Sequence, residues 1–365
     1  MEVFLVGGAL RDELLAQPVT DHDWVVVGAT DQEMRAAGYR SVGKSFPVYL
    51  HPETGEEYAL ARQEKKFAAG HQGFEFETDN VSLEQDLLRR DLTINAIARD
   101  LEGQWIDPMG GRNDIEEKLL RHISPAFSED PLRVLRVARF AARFHHLGFR
   151  IADETLSLMA AITSGGELQT LSSERVVEET RKALSTQDPI IFFEVLSSCG
   201  AHAILWPEID LSAIPNSVRA RITEDPGLQW AAMLHTQSAD VISTLDRRLP
   251  LPSAWVQQAV DTMSLNPLWS DFDTLSSTGI LEMLYQLDSF RQGERLQTAS
   301  ALLVLINDSD DRSKRVHQNW IEVLGWTRSI SGAQVMATQP TLEGAAIGSA
   351  IREARLSELG TQLGR

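Results

Sequence analysis

Two carboxylates two residues apart, Asp21 and Asp23, follow a glycine pair, Gly7-Gly8, near the start of a 365-residue chain. The acids open the β-branched run Trp24-Val25-Val26-Val27, and residues two apart on a strand share a face, so both carboxylates are expected together with His22 turned away. Such a pair repels unless a cation lies between its members. Hard divalent ions such as Mg2+ take oxygen ligands, and two of them about 3.5–4 Å apart hold an attacking hydroxyl and a leaving pyrophosphate in line. That is nucleotidyl-transfer chemistry, with Asp21 and Asp23 as catalytic metal ligands. Gly7-Gly8 ends the apolar run Val3–Val6, and a glycine turn before a helix lets backbone N–H groups approach an anion such as a triphosphate. Alone, an Asp-x-Asp would be a solvated turn; the glycine turn upstream favours the metal reading.

A second constellation is Arg89-Arg90-Asp91, with Asn95 one helical turn later. Guanidinium forks suit phosphates or base edges, and Asp91 can orient one of them. A third is Glu129-Asp130-Pro131-Leu132-Arg133, continuing to Arg136, Arg139 and Arg143. At 100° per residue these arginines fall at about 0°, 300°, 240° and 280°, opposite an apolar face. A face of arginine with no acid after Asp130 suits a polyanion better than a solvated helix, which mixes signs. Asp130 only accepts and Arg133 only donates hydrogen bonds. The Watson–Crick edges of cytosine and adenine each place an amino donor beside a ring-nitrogen acceptor and match that pair. Uracil and guanine reverse the order and leave a buried partner unpaired at about 1–3 kcal/mol each.

The elements that must position these residues change in texture along the chain. The first 110 or so residues read as short strands broken by glycine: Val3–Val6, Trp24–Val27, Phe46–Leu50, Tyr58–Ala61 and Gln104–Ile106, with helices over Ala9–Leu15 and Leu83–Ala98 and a long loop over Gln63–Asn80. From Ile115 the spacing predicts helices over 115–121, 130–144, 154–161, 173–184, 189–196, 280–287 and 296–306. The fold class is therefore α+β, a mixed-sheet head followed by an all-helical body.

With 34 Lys+Arg against 52 Asp+Glu the net charge is −18, which excludes a protein that coats nucleic acid through bulk charge. Any nucleic-acid site must be local, with Arg90, Arg133, Arg136, Arg139 and Arg143 as its cationic track and a shallow salt dependence. One cysteine, Cys199, excludes an intramolecular disulfide and a cysteine-built zinc site. The start lacks a basic region and reaches Arg11 and Asp12 too early for a signal peptide, and no apolar run of about 18 residues exists, so a soluble cytoplasmic protein is expected.

The segments LVGGALRD, DHDWVVVG, RRDLTINA, IDPMGG and SEDPLRVLRVARFAARF, with LSSERVVEET as a weaker match, resemble the class II, bacterial-type CCA-adding tRNA nucleotidyltransferases of the polymerase-β-like superfamily, in their long proteobacterial branch. The resemblance implies a nucleotidyltransferase head over 1–124, a base-reading helical neck over 125–200, and a helical body and tail over 201–365 that hold the acceptor arm of tRNA. It places Gly7, Gly8, Arg11 and the Mg2+ ligands Asp21 and Asp23 in the head. Glu129, Asp130 and Arg133 become the protein template for the incoming base, and Arg90, Asp91, Asn95, Arg136 and Arg139 complete the nucleotide site. The implied activity adds C, C and A to the tRNA 3′ end from CTP and ATP, with no membrane partner; the sequence does not assign an oligomeric state, a monomer being favoured. Relatives that add only CC lack part of the loop before the Arg-Arg-Asp motif; the stretch Arg62–Asn80 is full length here, which favours complete CCA addition. Glu57 is a candidate third carboxylate.

The chain departs from its branch in one respect. The long members carry a C-terminal HD phosphohydrolase domain, whereas beyond residue 200 only His202, His235 and His317 occur, and Thr236 follows His235. That set cannot build the metal site, so hydrolase activity is expected to be absent. Competing readings are a CC-only or A-only enzyme, a bacterial poly(A) polymerase, which usually carries a basic C-terminal extension, and an inactive RNA-binding paralogue.

Overall fold

A computed structural model describes residues 1–42, 48–66, 74–78 and 80–364. Its elements alternate at first: β1 (Glu2–Val6), α1 (Gly8–Leu14), β2 (Asp23–Val27), α2 (Asp31–Ala36), β3 (Arg40–Ser41), β4 (Val48–Leu50) and β5 (Glu57–Leu60). Next come β6 (Gln63–Lys66), β7 (Phe74–Glu77), α3 (Leu83–Leu88), β8 (Ala98–Arg99), β9 (Trp105–Ile106), α4 (Gly111–Glu116) and β10 (Leu119–Leu120). Helix then dominates, with α5 (Leu132–Phe144), a short β11 (Arg150–Ile151), α6 (Asp153–Ser164), α7 (Ser173–Leu184), α8 (Ile190–Ser198) and α9 (His202–Leu205). The chain forms two compact units, Met1–Pro207 and Glu208–Arg365.

In the first unit seven strands form one mixed sheet in the order β3-β4-β5-β2-β1-β8-β9. β2 is central, antiparallel to β1 and parallel to β5, and the second pairing sets Asp23 in register with Glu57. Strand alternation gives the sheet two cores. Val25 packs on one face with Phe4, Val6, Leu87 and Ala98, while Val26 packs on the other with Met34, Tyr49, Tyr58 and Leu60. This double burial explains why the run reads as continuously apolar.

Four readings from the sequence are corrected. The helix expected over 83–98 ends at Leu88, because Leu92 is extended, Thr93 N–H donates to the Arg121 carbonyl and Ala98 pairs with Val6. The helix expected over 115–121 is instead the end of α4 followed by β10, with Lys118 at φ 57 between them and Leu119–Leu120 paired to Arg150–Ile151. Within the expected loop 63–80, β6 and β7 form an antiparallel hairpin, in keeping with the alternation of Phe74-Glu75-Phe76-Glu77; residues 67–73 and 79 of that loop lie outside the described residues. β2 starts at Asp23, so Asp21 precedes the strand. Of the strand expected over 46–50, Phe46 and Pro47 also lie outside the described residues.

The second unit is helical: α10 (Pro226–Leu234), α11 (Ala239–Arg248), α12 (Ser253–Trp269), α13 (Ser277–Gln286), α14 (Gly293–Ile306), α15 (Asp311–Arg328), α16 (Gly332–Thr338) and α17 (Ala345–Leu363). Trp230, Leu265, Leu284, Leu303 and Trp320 are buried in it, and Asp261 of α12 is held by Arg295 of α14 at 2.6 Å. Its two histidines are engaged locally, His235 Nδ1 with the Ala232 carbonyl and His317 Nδ1 with Ser300 Oγ. Among the described residues no helix is long and apolar enough to cross a membrane.

Candidate active site

The first unit holds a cleft of about 630 Å³ whose wall gathers most of the residues singled out above. Gly7, Gly8 and Arg11 enter it from the β1–α1 turn, Asp23 and Glu57 from the edges of β2 and β5, Arg90, Asp91 and Asn95 from the segment after α3, and Asp130, Arg133 and Arg136 from the start of α5. Asp21 and Arg139 are outside this lining.

The glycine turn is set by sterics. Gly7 has φ 71, and a Cβ there would lie 2.8 Å from Arg90 Nη1. Arg90 thus approaches the turn backbone directly, donating to the Asn95 carbonyl at 3.3 Å and to Asp86 at 3.1 Å. Its buried Nε has no partner, an unusual state for a guanidinium beside a cleft. Asp86, fully buried, binds both Arg89 and Arg90. Burial alone would raise its carboxyl, but the two guanidinium groups outweigh burial and hold it below the usual range.

At the carboxylate edge, Asp21 accepts from Thr20 Oγ1 at 3.1 Å and His22 turns to Glu56 at 3.3 Å. Burial pushes the Asp23 carboxyl up against the pull of Arg90, and the charge on Asp21 adds to that push. Among the described residues no group of three or more acids, histidines and cysteines is placed to hold a metal. The candidate ligands are therefore the Asp21–Asp23 pair, with Glu57 in register beside Asp23. Two carboxylates with remaining positions left to water and phosphate fit the ordinary ligand set of Mg2+.

The arginine stripe of α5 differs from expectation. It is not a bare cationic face, because acids and carbonyls from other elements meet it. Arg136 binds Asp91 through Nε at 2.7 Å and Nη2 at 2.6 Å, Arg139 binds buried Glu179 of α7 at 2.6 Å, and Arg143 binds Asp12 of α1 at 2.9 Å. Arg133 is buried and donates to the carbonyls of Ala126 and Arg89. Asp130 accepts the Leu132 N–H at 3.1 Å and Arg175 Nη2 at 2.8 Å. A second relay crosses the head: Arg11 donates to Asp12 and to Asn95 Oδ1, and Asn95 Nδ2 donates to Asp91 at 2.8 Å.

Arg62, Arg175 and Phe140 are among the cleft-lining residues that the sequence does not single out for the site. Arg175 lies inside the LSSERVVEET segment, so its signal was present without a role. Phe140 reads as one more apolar residue of an amphipathic helix.

Residues 3–121 match the family model of the poly A polymerase head domain, and residues 148–212 match that of a probable RNA and SrmB-binding site of polymerase A. Head and cleft thus define a nucleotidyltransferase with a polymerase-β-like head. A CCA-adding enzyme of Pseudomonas putida is 43% identical across 98% of this chain and 98% of its own length, and a multifunctional CCA protein of the same species is 44% identical with equal coverage. A Bacillus stearothermophilus CCA-adding enzyme solved in complex with CTP aligns with TM-score 0.73 over 99% of this chain and 89% of that one, at 23% identity. The chain belongs to the CCA-adding enzyme family.

Proposed function

We infer that this protein adds C, C and A to the 3′ end of tRNA from CTP and ATP, without a nucleic-acid template. The observation that carries the reading is convergence: one cleft receives the Gly7-Gly8 turn, Asp23 and the Asp130–Arg133 pair. Triphosphate, metal and base requirements are met side by side.

In this reading Asp21 and Asp23 hold Mg2+, which when bound activates the tRNA 3′ hydroxyl and neutralises the departing pyrophosphate. Gly7, Gly8, Arg11 and Arg90, which line the cleft together, bind the triphosphate. Asp130 and Arg133 read the base edge, supported by Arg175 on the acid and the carbonyls of Ala126 and Arg89 on the guanidinium. Asp91 and Asn95 complete the nucleotide site from the cleft wall and hold Arg136 and Arg11 in place. Residues 1–124 serve as head, 125–200 as neck and 201–365 as the body and tail that take the acceptor arm. The enzyme works in the cytoplasm.

The decisive assay supplies labelled CTP and ATP, separately and together, to tRNAs lacking one, two or three 3′ nucleotides. Arrest after two cytidines with ATP present would leave a CC-adding enzyme, and processive tailing of unstructured RNA by ATP alone would leave a poly(A) polymerase. We further read the region beyond residue 200 as devoid of phosphohydrolase activity, on the histidine inventory His202, His235 and His317. Hydrolysis of a 2′,3′-cyclic nucleotide by pure protein with nickel or magnesium would overturn that part.

A further inference from the structure

Two phenylalanines on α5, Phe140 and Phe144, sit one helical turn apart with their rings nearly parallel at 8° and 6.0 Å between centroids. The Arg11 guanidinium lies 5.2 Å from both centroids. Arg139 lies over Phe140 at 4.1 Å, Arg136 over the same ring at 5.8 Å and Arg143 over Phe144 at 5.1 Å, so a guanidinium from α1 and three from α5 share one pair of rings. Phe140 itself reaches the cleft wall beside Arg11.

Such crowding of like charges needs an explanation. Arg11 is 4% exposed, and burial together with the charge of Arg143 disfavours its cation, while Asp12 favours it. Asp12 accepts from Nε and Nη2 and Asn95 from Nη1, so the polar partners hold the edge of the guanidinium while the Phe140 and Phe144 rings are its aromatic neighbours. An aromatic face attracts a cation through its quadrupole, more strongly when water is excluded, and acts perpendicular to the guanidinium plane. Edge bonds and ring contact together leave the group one pose. A leucine at 140 would fill space but offer no quadrupole.

We propose that Phe140 is a positioning residue that orients Arg11 toward the bound nucleotide through a cation–π contact, its ring electrons rather than its volume being what matters. The inference rests on the reading of Arg11 as a triphosphate ligand. Hydrophobic packing alone would be indifferent to ring electronics.

The test replaces Phe140 in the full-length enzyme with mono-, di- and trifluorophenylalanine, which drain the ring quadrupole in steps at nearly constant shape, and measures kcat/KM for CTP and ATP. A graded fall reaching about five-fold at trifluoro is expected, while the same series at Phe192, a buried ring packed on Phe193 and Trp206, stays flat. Arg11→Lys is run in parallel. If Arg11→Lys costs activity and the Phe140 series is flat, the cation–π inference is overturned alone. If Arg11→Lys costs nothing, the triphosphate reading of Arg11 fails and the inference falls with it.

Discussion

Asp91 and Arg136 form a two-bond fork across the border between sheet domain and helix α5: Asp91 Oδ2 accepts Nε at 2.7 Å and Nη2 at 2.6 Å. The other oxygen of Asp91 accepts the Leu92 N–H and Asn95 Nδ2, and Asn95 in turn receives Arg11. A single buried carboxylate thereby ties Asn95 and Arg11 to α5, the helix that carries Arg133. Further along α5 the Arg143–Asp12 pair makes a second tie to α1.

Asp91→Asn should be destabilising by about 2 kcal/mol at neutral pH, since it leaves the half-buried Arg136 with Glu179 at 3.9 Å as its remaining ion pair. Burial alone would raise the Asp91 carboxyl, but Arg136, Asn95 and the Leu92 N–H outweigh it and hold it well below the ordinary range. A depressed folded-state value gives stability that is complete above the unfolded value of about 4 and is lost as pH falls through the folded one. Urea unfolding of wild type and variant should therefore show a gap that is constant from pH 7 to about 5 and closes below about 4. A gap independent of pH would contradict the ion-pair account.

Much of this arrangement was legible beforehand, and what was not has a physical pattern. The run Ser173–Leu184 is helical over the expected bounds because its periodicity and its ends are local properties. The strand Trp24–Val27 was equally plain from β-branching. The arginine stripe is the helix face its spacing predicts and has no acid of its own after Asp130; the acids that meet it, Asp12, Asp91 and Glu179, stand 131, 45 and 40 residues away in the chain. Helical spacing reports neighbours within a turn and is blind to what another element lays against that face. The break at Arg89 was hidden for the same reason, since the N–H of Thr93 leaves the helix for a carbonyl of Arg121.

Replacing Asp23 with Ala should lower nucleotide addition about a hundred-fold or more, the scale of losing metal stabilisation of the transition state. tRNA affinity by filter binding should change less than about two-fold, because one carboxylate at the cleft edge opposes rather than attracts phosphate. Asp21→Ala should behave alike. Retained activity in either would remove that residue from the metal site.

Gly7→Ala combines two costs. A Cβ at φ 71 is disfavoured by about 1–2 kcal/mol, and at 2.8 Å it displaces the Arg90 guanidinium. The expected outcome is a lower melting temperature, since Asp86 loses one of its two cations, together with a fall in kcat/KM that is equal for CTP and ATP. Unequal loss would place Gly7 in base choice instead of triphosphate binding.

Arg175→Ala probes base choice from outside the Asp130–Arg133 pair. In the structure Arg175 Nη2 holds Oδ2 of Asp130 at 2.8 Å while the Leu132 N–H holds Oδ1 at 3.1 Å, so the carboxylate plane is fixed at both oxygens. Arg133 is fixed independently by two carbonyls. In the proposed reading, discrimination against uracil and guanine arises because their reversed edge leaves one member of the pair unpaired, at about 1–3 kcal/mol each. A carboxylate released from Arg175 can rotate away and relieve that mismatch, so the variant should lose selectivity more than rate. Competition of UTP against CTP on a tRNA lacking its three terminal nucleotides should show misincorporation rising about five- to fifty-fold, with kcat for CTP lowered only a few-fold. If CTP turnover collapses while the UTP to CTP ratio stays at the wild-type value, Arg175 supports the fold of the neck and not the reading of the base.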